Sequence, residues 1–483
     1  MTTVLLIGTG PLFAPDVRVF NGQALRTWHF AKPLLAAGHL VDLVVLPVEG
    51  QPPPEPGGDI LLEREHAGTQ YLLVNRTDAN DILQTLQQIH DASPYEAIVA
   101  VNHNAAVHAC RLATRLPLWA DLNGYMMGEA QTKGLVYNSD EYLLHFWQRM
   151  RIILRRADRF STVSHKQMYA TVGELAAVGR LNRHTASHNF VSTIPNAASE
   201  DFLALAPPAN TPHSERRFRG RLFPADAFAV LWSGGFNTWT DTRTLAAALS
   251  LAMEQEPRIH FVATGGAIPG HDEITYESFV HEMQKTGFLD RCHMLGWVEA
   301  RDLPALYSEC DLGINIDGRN YETLLGARNR LTNMMAIGLP VLTTFGTEIS
   351  EIIEEHKLGY VVRIGQVEEL VGALVKACRS VTDRRLFAAR ARKFCAEHFS
   401  YDATTRPLQH WLASPTLAPD NAEKARLFPQ EKHLDRISLN PLEEEQRVAS
   451  EFDLPRLVEA QRDLNLLRQK RLYRLYKKIF GRS

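Results

Sequence analysis

Short apolar runs recur along this chain, and each is followed by a stretch of helical, amphipathic period. VLLIG (4–8), LVDLVVLP (40–47), YEAIVAVN (95–102) and PLWADLN (117–123) are the first four. Between them lie GQALRTWHFAKPLLAAG (22–38), closed by Gly38, and AAVHACRLATRL. Runs this short and this apolar predict parallel strands buried on both faces, and the intervening stretches predict the helices that cover them. After a turn-rich junction, STIPNAASEDF (192–202), the pattern restarts. AFAVLWSGG (227–235), IHFVATGG (259–266), CHMLGWV (292–298), DLGINID and GYVVRIG predict strands. TDTRTLAAALSLAMEQEP (240–257), LPALYSEC and VEELVGALVKACRSV predict helices, with Asp241 as the N-cap of the first. A chain of 483 residues has room for two such domains. The expected architecture is α/β, with two doubly wound, Rossmann-like domains over 1–200 and 201–395. A helix over 396–414 is expected to return to the first domain, and 415–483 to hold a polar linker and a basic amphipathic helix.

Several function classes drop out. A net charge of -3 gives no global pull toward nucleic acid or acidic membranes. Five scattered cysteines without a CxxC argue against a disulfide framework and against zinc, and they suit a reducing cytoplasm. MTTVLLIGTG enters a strand at once, so no signal peptide is expected. No apolar run reaches the roughly 18 residues of a spanning helix. From Leu466 to Ser483 every charged residue is basic, interleaved with Leu, Tyr, Ile and Phe. The segment 454–480 therefore predicts a helix that lies on an anionic membrane surface, at the inner face, or packs on a partner helix in an oligomer.

The sharpest site signal is NYETLLGARNRLTNMMAIGLPVLTTFGTE (320–348). Asn333 to Ile337 reads as a helix end, Gly338 as its stop and Pro340 as the entry to a strand. Arg328 and Arg330 stand at the start of that helix, with Glu322 just upstream and no other acid nearby. A helix N-terminus already favours anions, so two arginines there predict an anion that arrives as a ligand. Arg330 and Asn333 are three apart and share a helix face. SGGFNTWTD (233–241) places Gly234, Gly235, Asn237 and Thr238 between a strand end and a helix start, where amides bind phosphate. Gly265 and Gly266 in TGG repeat the arrangement. GTGPLF (8–13) fails as a dinucleotide fingerprint because Phe13 takes the last glycine's place. Its Gly10 still belongs to a loop at a strand's carboxyl end, where such sheets bind ligands.

The segment NMMAIGLPV (333–341), with PNA at 195–197, resembles the group 1 glycosyltransferases, glycosyltransferase family 4, of GT-B fold. In that family two acidic residues seven apart precede an AMAxGxPV run; here Leu325 and Asn333 occupy those places. The segment resembles a branch carrying LGxRxR. The family's usual Arg and Lys are missing from GGFNTWTD, which makes Arg328 and Arg330 the replacement charge for a leaving diphosphate. The resemblance implies that Asn333 holds the nucleotide ribose and that Val298, in GWV, lies in the base-contacting loop. Gly346, Thr347 and Glu348 would touch the donor sugar, with Glu322 beside them. In the first domain it implies His103 in VNHN and Asp121 in DLNG as catalytic groups, Asp121 facing the transferred sugar, with Asn123 and Glu129 on the acceptor side beside Gly10. An acid opening a helix, as at Glu348, or a histidine ending a strand, as at His103, also has an ordinary structural reading.

The resemblance thus implies two domains facing across a cleft and transfer of a sugar from a nucleotide-diphosphate donor to an acceptor hydroxyl. It implies retention of configuration, no metal ion and no cofactor beyond the nucleotide-sugar co-substrate. The acceptor is open, a lipid-linked glycan being one option. A sugar-nucleotide epimerase of the same fold class, and a non-catalytic nucleotide-sugar-binding partner of another transferase, remain alternatives.

Overall fold

In the computed structural model, which describes residues 1–12, 22–49, 51–207, 216–268 and 270–421, the strands form two sheets. The first has eight strands: β1 Thr3–Thr9, β2 Leu40–Leu46, β3 Leu61–His66, β4 Thr69–Val74, β5 Ala97–Val101, β6 Leu118–Leu122, β7 Arg159–Thr162 and β8 Val191–Thr193. Their order is β3-β4-β2-β1-β5-β6-β7-β8. Every neighbour is parallel except β3 and β4, which form an antiparallel hairpin. The second sheet has six parallel strands: β9 Phe228–Trp232, β10 Ile259–Thr264, β11 Cys292–Gly296, β12 Leu312–Asn315, β13 Val341–Thr344 and β14 Tyr360–Val362. Its order is β11-β10-β9-β12-β13-β14. The chain reverses its direction of travel between β1 and β5 in one sheet and between β9 and β12 in the other. Those switch points open the crevices in which doubly wound sheets take ligands.

Burial follows from this layering. β5 and β9 are buried at every residue, as central parallel strands under helices must be. Along β9, Phe228, Val230 and Trp232 enter one core cluster, and Ala229 and Leu231 enter another on the opposite face. The first lobe's cluster joins Val4, Leu6, Trp28 and Phe30 to Tyr401, Leu408 and Trp411 of the helix Tyr401–Leu412. A hydrogen bond of 2.6 Å between His29 Nε2 and Thr404 Oγ1 ties that helix to Gly22–Ala36. The chain therefore crosses from the second lobe back into the first.

Local signals match the elements they announced. The helix Asn329–Ile337 stops at Gly338, whose φ of +86° needs no Cβ penalty to adopt. Gly338 N donates to Met335 O and Leu339 N to Met334 O, the paired bonds that close a helix end. Asp241 caps Thr242–Gln255 by accepting from Thr244 N. The sequence reading passes over β3, β4, β7 and the helices Met126–Tyr137, Glu141–Arg156 and His165–Ala177. β8 takes the first residues of what reads as a junction; three or four residues are too few to show a period. No described helix is long and apolar enough to cross a membrane. The segment 454–480 lies outside the described residues.

Candidate functional site

Between the lobes, at the carboxyl ends of β9 and β10, is a cavity of about 110 Å³. Gly234, Gly265, Val298, Asn329, Arg330 and Asn333 line it from the second lobe. Gly22 and Leu25, from the helix Gly22–Ala36, close it from the first. Two glycine loops shape its floor. Gly265 has φ +77°, and a Cβ there would stand 2.5 Å from the Gly234 carbonyl carbon. Glycine at both positions lets the two backbones touch and leaves the loop surface bare. The helix Asn329–Ile337 begins at the cavity, and no side chain caps it. Leu331 N donates to Arg328 O at 3.1 Å, which leaves the amides of Asn329 and Arg330 without a partner within the helix.

Arg330 is the cavity's cation. Its guanidinium lies 4.5 Å from the Trp232 ring centroid, and Nη2 donates to Gly235 O at 2.9 Å. Its Nη1 is buried and has no hydrogen-bond partner. Burial lowers its pKa to about 10, with Asp317 opposing and Arg328 reinforcing the shift, so the group is charged at neutral pH. A buried, half-satisfied guanidinium on a ring face is a site that an anion improves.

Arg328 corrects the expectation of two free arginines. Its Nε donates to Asp317 at 3.1 and 3.0 Å, and its two Nη atoms take both oxygens of Glu322 at 3.0 and 2.7 Å. Asp317 follows β12, eleven residues upstream, and the fold brings it under the helix start; the sequence reading found no such acid. Arg328, Asp317 and Glu322 are 5%, 1% and 5% exposed. The charge of Arg328 is thus met within the protein, and Glu322 is part of that pair rather than of a sugar site. The two carboxylates hold Arg328 firmly in its charged form.

The remaining expected residues divide. Gly234, Gly265, Val298, Arg330 and Asn333 meet at the cavity. Asn333 Oδ1 accepts from Ser199 N at 3.0 Å, so that residue also joins the lobes. Gly235 N-terminal to Phe236 packs on Ile268, Gly266 (φ +131°) on Tyr276, and Asn237 Nδ2 turns back to Gly235 O. Thr238 Oγ1 meets Thr132 Oγ1 at 2.7 Å across the cleft. Thr347 is buried and caps the helix Glu348–Glu355, and Gly346 N donates to Ser350 Oγ. Glu348 accepts from His165 N at 2.7 Å and faces the His165 ring at 2.9 Å, a tie between lobes. Gly128 makes another close approach: a Cβ there would sit 2.8 Å from Glu322 N.

On the acceptor side, Asp121 is the second correction. It has zero exposure, with one oxygen on Arg26 Nη2 and Ser161 Oγ and the other on Arg26 Nε. It holds β6 to β7 and to Gly22–Ala36, and does not face a substrate. Gly10 N donates to Leu46 O and packs on Val45. Glu129 stands 3.7 Å from Lys133 and 3.8 Å from His271. Asn123 Nδ2 donates to Asn102 Oδ1 at 2.9 Å. His103 Nε2 is buried without a partner, and burial lowers its pKa to about 4, so the ring is neutral. Sequence reading missed Asn102, which precedes His103 with φ 74° and ψ 157°, a conformation nearly confined to glycine. Its Nδ2 donates to Gln23 O at 3.0 Å, so side-chain bonds on both sides hold that strained turn at the crevice. Asn329 and Trp232 were missed too, Trp232 because it reads as an ordinary strand residue. Among the described residues no group of three or more His, Cys, Asp or Glu is placed to hold a metal ion.

Residues 227–380 match the family model described as Glycosyl transferases group 1. No curated protein matches. Among solved structures, sucrose-phosphate synthase from Thermosynechococcus elongatus is similar at 16% identity and TM-score 0.62, over 84% of this chain and 98% of that one. HepE of Anabaena, solved in complex with UDP and glucose, is similar at 16% identity and TM-score 0.61, over 86% and 100%. A trehalose-6-phosphate protein from E. coli, bound with UDP-2-fluoro glucose, is similar at 11% identity and TM-score 0.63, over 86% and 100%. These likenesses make the architecture a GT-B fold. The family match, over the lobe that supplies most of the cavity, gives the class of activity as glycosyl transfer.

Proposed function

We propose that this protein transfers a sugar from a nucleoside-diphosphate donor to an acceptor hydroxyl, with the donor's diphosphate in the Arg330 cavity. One observation carries the reading: the unpartnered Nη1 of Arg330 stands beside an uncapped helix start and two bare glycine loops. A diphosphate supplies acceptor atoms to the guanidinium and to the helix start, and the glycine loops, whose own Gly234 and Gly265 N–H groups already donate to Thr264 Oγ1 and Gly296 O, leave it room. Charge that develops on the leaving diphosphate as the glycosidic bond breaks is met by Arg330 and the helix amides. The departing phosphate takes the acceptor's proton, which is why no side-chain base is assigned. Asn333 meets the ribose through its NH₂, since its Oδ1 is already used by Ser199 N. Arg328 acts one step back: paired to Asp317 and Glu322, it fixes the helix start from which Arg330 projects.

A cavity of about 110 Å³ is smaller than a whole nucleotide-sugar needs, so base and sugar extend along the cleft on either side. Retention of configuration, metal independence, the LGxRxR branch of family 4 and a glycan product belong to the same proposal. The UDP ligands of two similar structures make uridine nucleotides the first donors to try. The test is release of nucleoside diphosphate from a panel of nucleotide-sugars, with the anomeric configuration of the product read by NMR. Arg330→Ala is expected to lower release about a hundredfold to a thousandfold. No release from any donor by the wild type, with or without acceptors, would overturn the reading.

A further inference from the structure

One helix of the first lobe, Met126–Tyr137, reaches three segments of the second, all of them around the donor cavity. It does so with two pairs of residues four apart, Gly128 with Thr132 and Lys133 with Tyr137, each pair stacked along the helix. Gly128 approaches Glu322, the partner of Arg328, and Thr132 meets Thr238 in the loop after β9. Lys133 and Tyr137 grip the turn that follows β10. Lys133 Nζ donates to His271 O at 3.1 Å and lies 3.2 Å from His271 Nδ1. Tyr137 OH donates to Asp272 Oδ1 at 3.1 Å and accepts from Glu273 N at 3.2 Å.

From that turn a short run of contacts leads to the cavity. Asp272 and Ile268 exchange two backbone hydrogen bonds, of 2.7 and 2.9 Å. Ile268 packs so closely on Gly235 that a Cβ there would stand 2.3 Å from it. Gly235 O is the atom that accepts from Arg330 Nη2. Beside Ile268, Ala267 O accepts from Trp297 Nε1 at 3.1 Å, and Trp297 lines the cavity. Close-packed contacts transmit a displacement rather than absorb it. The grip itself is near balance. Lys133 is 3% exposed, with Glu129 at 3.7 Å and the Tyr142 ring at 4.5 Å. Burial draws its pKa down, and Glu129 and Asp272 oppose the shift. Asp272 is fully buried, and its Oδ2 has no hydrogen-bond partner. Desolvation of both groups opposes the contacts they make, so the grip adds little net stability of its own.

We infer that Lys133 and Tyr137 are positioning residues for the donor: from the first lobe they set the turn after β10, and through Ile268 and Gly235 they aim the Arg330 guanidinium. The donor clause rests on the transferase reading; the mechanical link does not. Two measurements on the full chain test them. Hydrogen exchange without nucleotide follows the Ile268 amide, bonded to Asp272 O, and the Phe236 amide, bonded to Gly266 O. Both should exchange faster in Lys133→Met and in Tyr137→Phe, which removes one oxygen and gives the readout even where Lys133→Met fails to fold. Calorimetric titration with uridine diphosphate should show affinity about twofold to thirtyfold lower in each variant, the range for residues that act through others. In the Arg330→Ala background the same substitutions should change affinity little further, because they act through that guanidinium. Unchanged exchange of both amides would overturn the link. Faster exchange with unchanged affinity, or an equal loss of affinity with and without Arg330, would overturn the positioning role and leave the helix a structural support. Uridine diphosphate bound equally by the wild type and Arg330→Ala, or by neither, would instead overturn the donor reading, with the exchange result still deciding the link.

Discussion

Arg328→Ala separates the two arginines. The substitution removes the shared partner of two carboxylates that are 1% and 5% exposed. Asp317 keeps a bond from Asn315 Nδ2 at 2.8 Å, whereas Glu322 loses both of its guanidinium bonds. Breaking a buried pair by removing one partner costs about 3–5 kcal/mol, because the remaining charge stays buried. Contact with the Trp239 ring, 5.2 Å from the guanidinium, adds to the loss. For a domain of this size, roughly 2–4 °C accompanies each kcal/mol, so the melting temperature should fall on the order of 10 °C. Thermal and urea denaturation at pH 7 read the effect directly. Arg330→Ala, which deletes a half-satisfied guanidinium, should move the melting temperature far less. Adding Glu322→Gln to Arg328→Ala should restore part of the loss, since the two residues are in contact. A loss below about 1 kcal/mol in Arg328→Ala, or one equal to that of Arg330→Ala, would refute the assignment of Arg328 to an internal pair.

Three further outcomes follow from the same geometry. Gly128→Ala should cost about 1–3 kcal/mol or part the lobes, because its Cβ would meet the Glu322 backbone at 2.8 Å; small-angle scattering and thermal melting check both results. Asn333→Ala should raise the donor's KM more than it lowers kcat, as steady-state kinetics would show, because ribose contacts are shared by ground and transition states. Glu174 lifts to about 7 from 4.5, chiefly by burial, so the folded state binds the extra proton between those values. Its contribution is complete below pH 4.5 and is lost as pH rises through 7, by up to about 3 kcal/mol, and Glu174→Gln should flatten that part of the stability profile.

Periodic features were legible in the sequence. Buried parallel strands such as β5 and β9 need continuous apolar residues, and the stop at Gly338 and the cap at Asp241 are local events with local signatures. Short β7 and β8 are held by their neighbours rather than by propensity, so no window of sequence announces them. The site was half legible for the same reason. A cation beside an uncapped helix start shows in the spacing of Arg330, and the glycine loops show in SGG and TGG. Asp317 reaches Arg328 only because β12 and the helix start are brought together in space, and Asp121 meets Arg26 across 95 residues of chain. No local pattern distinguishes a carboxylate that pairs internally from one that faces a substrate. The strain at Asn102 is invisible in the same way, since asparagine before a helix reads as an ordinary cap.

The central claim is that a diphosphate sits on Arg330. Isothermal titration of uridine and of uridine diphosphate, each into the wild type and Arg330→Ala, isolates that contact, because the nucleoside lacks the phosphates and is otherwise unchanged. The wild type should prefer the diphosphate strongly. In Arg330→Ala that preference should shrink about tenfold or more, with the affinity for uridine itself unmoved. An equal preference for the diphosphate in both proteins would contradict the account.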